Sequence, residues 1–338
     1  MNKKRNFWRT MFHIGVLSVC TVTLSTIPNG KNTETASAIV RAAEAETQTP
    51  ALKAAPVMKI NGTDTAASTG CYPSAFSLAI TADTGCKIYY TLDGSDPANP
   101  NNTARKEYQT AIDITDRKDA ENYVSAVDPA KFDAAYARYD RKAQTIGDQY
   151  AAPDKENVDK ATVVRAVAYD ETSQTYSLVT TNTYFVGDMK EHISGIAYSA
   201  RAAGVPLSII SISTDYNNLF DEETGIYVRG NIFNSAVQAA GLNNNTARNA
   251  RGLAANYTQK GKEWERPAHI DYIESDGETT EVKLQQDCGL RIQGNYSRSD
   301  LQKSFRFYAR KEYGDGKKNF NYDFFNGAAT DEKGEPLS

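Results

Sequence analysis

The residues best suited to chemistry sit in one stretch, GLRIQGNYSRSDLQKSFRFYAR, from Gly289 to Arg310. Gly294 lets the backbone turn tightly into a polar loop, and Arg298 in that loop and Lys303 at the start of the next strand are cations that could both reach a phosphate. The segment KSFRFYAR alternates. Lys303, Phe305, Phe307 and Ala309 share one parity, and Ser304, Arg306, Tyr308 and Arg310 share the other, which predicts a strand with one apolar face. Lys303 heads the apolar face, where an ammonium either reaches out to water or meets an anion.

Phosphoryl transfer needs cations for the phosphates, carboxylates for a metal, and a carboxylate that positions the acceptor hydroxyl. The hairpin offers the first. Glu265, Glu222 and Glu223 are carboxylates that could fix the lysine, although each also reads as a surface or turn acid; Asp300, Asp315 and Asp323 fit loop roles. No Walker glycines, Asp-Phe-Gly or His-Arg-Asp pattern occurs, so no catalytic residue and no metal ligand is assigned. Without a Cys-x-x-Cys, and with only His192 and His269 past the leader, a zinc site is not expected. No metalloprotease helix or nucleophile elbow is present.

The elements that must carry these residues form an α+β, mostly β chain. A basic start (MNKKRNFWR), an apolar run from Met11 to Ile27 and the small residues Ala36–Ala38 predict a secretory signal peptide over Met1–Ala38. A lipoprotein site at Cys20 is disfavoured by the bulk of Val19. Loss of the leader removes five basic residues and one acid, so the charge moves from −4 to −8. An acidic secreted chain is a poor partner for nucleic acid or an anionic membrane, and no second apolar run is long enough to span a bilayer.

Residues 39–55 read as a linker and 56–188 as a β-sandwich, with strands in FSLAITA, KIYYTLDG, ATVVRAVAYD and TNTYFVG. A helical insertion interrupts it at about 116–160, with the stripe Phe132, Ala135, Tyr136, Tyr139, Ala143 and Ile146. Cys71 and Cys86 flank the first strand and could be bridged across a sheet edge, leaving Cys288 unpaired and buried. Residues 189–204 form a connector. From 205 onward PLSIISISTDYNNLF predicts a strand and a short helix capped by Asp215. GIYVRGN predicts a strand, and PAHIDYIESDGETTEVKLQQDCGLRIQG predicts consecutive strands turning at Asp276-Gly277.

Two resemblances follow. CKIYYTLDGSDP with ATVVRAVAYDETSQTYSLVTTNTYFVG is similar to the chitobiase/β-hexosaminidase C-terminal-type sandwich, a non-catalytic accessory module whose Tyr90, Asp93 and Asp96 would be core and turn residues. LFDEETGIYVRGN, EWERPAH, GLRIQG and SRSDLQKSFRF, spread over 205–325, resemble the front part of the CotH (spore-coat protein H) kinase family. That resemblance implies an atypical protein-kinase-like fold, ATP with a divalent metal such as Mg²⁺ as cofactors, secreted or surface proteins as substrates, and Lys303, with Arg298, at the nucleotide. The family carries its metal-binding and catalytic carboxylates further on than NYDFF, so residues 205–338 read as a truncated front part, whether a fragment or the product of a truncated gene. The alternatives are a non-catalytic surface or coat protein, and a carbohydrate-binding module in the sandwich with cell-wall glycan as partner.

Overall fold

The computed structural model describes residues 53–127, 131, 154–188, 208–242, 252–275, 279–300, 302–324 and 333–335. The predicted leader, the striped helix of the insertion, the 189–204 connector and the Asp276-Gly277 turn lie outside them.

The first strands are β1 (Val57–Ile60), β2 (Gly70–Tyr72), β3 (Phe76–Thr81), β4 (Cys86–Thr91), β5 (Lys106–Glu107), β6 (Ile112–Ile114), β7 (Thr162–Asp170), β8 (Thr175–Tyr176) and β9 (Thr180–Val186). One sheet has the order β1-β3-β6; the other runs β2-β9-β7-β4-β5, with β8 paired to β7. Period-2 alternation sends Leu78 and Ile80 inward from β3 and Val164 and Ala166 inward from β7, where they meet Met58, Ile112, Ile114, Tyr184 and Val186. Each large side chain so buried contributes about 1.5–3 kcal/mol. This is a β-sandwich, as the alternation predicts. The TLDGSDP turn also behaves as read. Asp93 accepts from the Ser95 N–H at 3.0 Å, Asp96 accepts from the Ala98 N–H at 2.9 Å, and Tyr90 packs on the sandwich core.

The bridge between Cys71 and Cys86 does not form. Cys71 lies on β2 and Cys86 on β4, with β9 and β7 between them, and both are free thiols. Three strand spacings separate them by about 14 Å, far beyond the reach of a disulfide. Cys288 is fully buried, as expected, and burial pushes its thiol up to about 12. Peptide-mapped alkylation of folded protein should therefore label Cys71 and Cys86, both partly exposed, and label Cys288 only after denaturation.

The remaining elements are β10 (Ile209–Ser213), α1 (Tyr216–Phe220), α2 (Gly230–Ala239), β11 (Arg266–Ser275), β12 (Thr280–Gln293) and β13 (Ser304–Tyr308). The four strands form an antiparallel sheet in the order β10-β11-β12-β13. One face carries Ala268, Ile270, Leu284, Cys288, Leu290 and Ile292, against which Phe233 and Val237 of α2, Tyr257, Phe305 and Phe307 pack. This sheet and the sandwich belong to one unit spanning Pro50–Ser338, in which β2 and β9 abut β12 and β11. No described helix is long and apolar enough to cross a membrane.

One predicted strand is absent. Gly225 to Arg229 lies outside any strand because its amides turn back onto α1. Ile226 N–H donates to Asn218 O and Tyr227 N–H to Leu219 O, each at 2.9 Å. A Cβ at Gly225 would lie 2.5 Å from Asp221 O, so glycine permits the close approach. Asn256, buried, pins the same turn by donating from Nδ2 to Glu222 O and Gly225 O, each at 3.1 Å. Asp215 does precede α1 as predicted, yet its carboxylate caps a different amide, accepting from the Asp96 N–H of the sandwich at 2.6 Å. Burial raises the Asp215 carboxyl above the usual range.

Candidate functional site

Lys303 sits just ahead of β13, on the parity of Phe305 and Phe307, and is 5% exposed. The alternation therefore places it correctly. Its Nζ lies 4.3 Å from the ring centroid of Tyr257 and 5.1 Å from that of Tyr227, and donates to the carbonyl of Asp300 at 2.5 Å. Its backbone N–H donates to the Tyr227 hydroxyl at 3.1 Å. Two aromatic faces and a carbonyl thus hold the ammonium, each ring worth about 0.5–2 kcal/mol of cation–π attraction. Tyr227 comes from the turn misread as a strand, and Tyr257 from the short helical turn Asn256–Thr258. Neither tyrosine was visible as a partner, because no periodic signal links those loops to β13.

Arg298, in the turn Tyr296–Ser299, is 8% exposed. Its Nε donates to Gly294 O at 2.6 Å, and its Nη1 donates to Tyr257 O at 3.1 Å and Gln259 O at 2.9 Å. It ties the hairpin loop to the turn that bears Tyr257. Gly294 has φ +107°, which lets the loop reverse tightly after β12.

Glu265 does not meet Lys303. Its side chain is 1% exposed and accepts from Arg291 Nε at 2.8 Å, Arg310 Nε at 2.7 Å and the Tyr313 hydroxyl at 3.0 Å. Burial alone would raise this carboxyl, but the two guanidiniums and the phenol outweigh it and hold it below the usual range. Gly289 backs the cluster, because any Cβ there would run into the Glu265 carboxylate. Glu222 and Glu223 are exposed turn acids. Asp315 pairs with Lys317 at 2.9 Å.

A second polar cluster lies on the opposite sheet face from the apolar core. Ser213, His269 and Asp287 form one cross-strand row, and Ser211, Asp271 and Gln285 form the next. His269 Nδ1 lies 2.9 Å from Asp287 Oδ1. Its Nε2 lies 3.4 Å from Asp271 Oδ1, close enough for an ion pair but outside hydrogen-bond alignment. Burial opposes the imidazolium, yet Asp271 and Asp287 prevail and raise its pKa to about 9. Asp271 is fully buried. It accepts from Gln285 Nε2 at 2.7 Å, from Thr69 Oγ1 at 3.2 Å and from Thr183 Oγ1 at 2.7 Å, the last two reaching across from the sandwich. A Ser-His-Asp row invites comparison with a nucleophilic triad, but His269 Nε2 faces Asp271 of the neighbouring row and Ser213 and His269 are both buried; it is that neighbouring row, through Asp271, that joins the sandwich. The sequence signal was there, a pair of polar residues at matching parity on three strands, but such a face reads as solvent-facing unless its cover is known.

Among the described residues no group of three His, Cys, Asp or Glu could hold a metal ion. Residues 78–184 are similar to a family described as Fn3 associated, a span running from β3 to β9 that agrees with a β-sandwich. No curated protein and no solved structure matches the chain.

Proposed function

We propose that the part from β10 onward is the front portion of a secreted, CotH-like atypical protein kinase domain, that Lys303 is its nucleotide-phosphate cation, and that the sandwich is an accessory module. The supporting observation is Lys303 itself. It is a buried ammonium at the start of an antiparallel-sheet strand, beside a glycine turn, braced by the Arg298-tied loop. Arg298 braces the loop through three backbone carbonyls rather than facing a ligand, and Lys303, whose ammonium rests on Asp300 O and two tyrosine rings, would have to release that carbonyl to take a phosphate. A metal finds no ligand group among the described residues. ATP would supply the phosphoryl group and a divalent metal such as Mg²⁺ would neutralise its charge; the role of this chain's own residues would be to hold and orient that negative charge.

Calorimetric titration of full-length protein with ATP and Mg²⁺ tests this. Lys303→Ala should weaken binding about 10- to 100-fold, the worth of one charge-assisted hydrogen bond, with folding checked by circular dichroism. Unchanged affinity in the folded variant would remove Lys303 from the site. Complete absence of ATP binding would favour the second reading, a non-catalytic surface or coat protein.

A further inference from the structure

The chain is acidic overall, yet Gly289 to Lys318 holds eight basic side chains against three acidic ones. Arg298 and Lys303 are buried in internal contacts. The others concentrate on the outer face of the β12–β13 hairpin and the loop after it. There the guanidiniums of Arg291, Arg310 and Arg306 surround the Tyr308 ring at 4.3, 4.9 and 5.4 Å from its centroid. The structural demand for these charges is already met by Glu265, which takes Arg291 and Arg310. Arg306 is surplus. It is exposed, lies directly across from Arg291 in register, and forms no ion pair with another described residue. Like charges directly opposed across a ladder are unfavourable, and an incoming anion would relieve them.

We infer that this face is a docking surface for an acidic polypeptide segment. The arginines of this face already hold a carboxylate: Arg291 and Arg310 both contact that of Glu265, and Arg306 continues the same row outward. The patch is small and set on a molecule of net negative charge. Long-range repulsion therefore works against a duplex nucleic acid or an anionic membrane, while a short acidic segment engages only the local field. The inference stands apart from any role of Lys303 in nucleotide binding.

Fluorescence anisotropy with the full chain and a labelled hexaglutamate peptide tests it. Saturable binding should appear at 50 mM salt and fade by 300 mM. Arg306→Glu should weaken it at least ~10-fold and Arg306→Ala ~3-fold, while Lys59→Glu on the sandwich leaves it unchanged. Arg306 is exposed, so these variants keep the fold. Lack of saturable binding, an Arg306→Glu variant equal to wild type, or tighter binding to single-stranded DNA or phosphatidylglycerol vesicles than to the peptide would each overturn the inference.

Discussion

Replacing Asp271 with alanine should lower the unfolding free energy by about 3–5 kcal/mol, the cost of removing one member of a buried ion pair. Asp271 is wholly inaccessible and accepts from Thr69, Thr183 and Gln285 while facing His269 Nε2. Alanine there strands three donors and half the charge compensation of the imidazolium. The same site carries a pH dependence. The folded His269 keeps its proton up to about pH 9, where an unfolded histidine releases it near 6.5. Its stabilising contribution is therefore complete below about pH 6.5 and is lost as pH rises through about 9. The loss is at most about 3 kcal/mol. The groups facing the ring are Ser213 from β10, Asp271 from its own strand and Asp287 from β12. Urea titrations at pH 6 and pH 9.5 should show the drop in wild type and a flat response in His269→Gln. A drop of the same size in that variant would assign the pH dependence elsewhere.

Glu265→Ala should cost about 2–4 kcal/mol, somewhat less than a fully enclosed pair, because Arg291 and Arg310 are 18% and 32% exposed and can turn toward water. The loss should be partial in Glu265→Gln, which keeps an acceptor for Tyr313 and one arginine. The carboxyl is held below its usual range, so in wild type this contribution is present above about pH 4.5 and falls away as pH drops through the folded value. Thermal melts taken from pH 7 downward should bring wild type and Glu265→Ala together as pH falls through the folded value. A variant as stable as wild type at pH 7 would show the cluster to be ornamental to stability.

The strands were legible because their periods are short and local. FSLAIT and the start of TVVRAVAYD bury alternate residues as their parity demands, although Val167 of the opposite parity is buried too, and KSFRFY alternates with Lys303 on the buried side. Partners were less legible. Glu265 reads as a candidate for Lys303, but β-sheet register sets it beside Gly289 and Arg291 instead. GIYV has strand composition yet lies along α1, where hydrogen bonds to Asn218 and Leu219 outcompete pairing. Cysteine spacing suggested a bridge that strand order forbids, since β2 and β4, which flank β3 in the sequence, are separated in their sheet by β9 and β7. In each case the missing information is tertiary, carried by which strand lies next to which.

The joint between sandwich and sheet is made by discrete polar contacts: Thr69 and Thr183 donate to the carboxylate of Asp271, Gln285 and Ser211 meet the same two hydroxyls, and Asp215 accepts from the Asp96 N–H. A greasy contact tolerates slippage; this one is keyed, because a shift of a single residue would set both hydroxyls against the wrong row. The sandwich is therefore not a free cassette. A homologous sandwich grafted in its place would dock only if it brought hydroxyls at both positions, so the accessory module and the sheet it adjoins are constrained to change together.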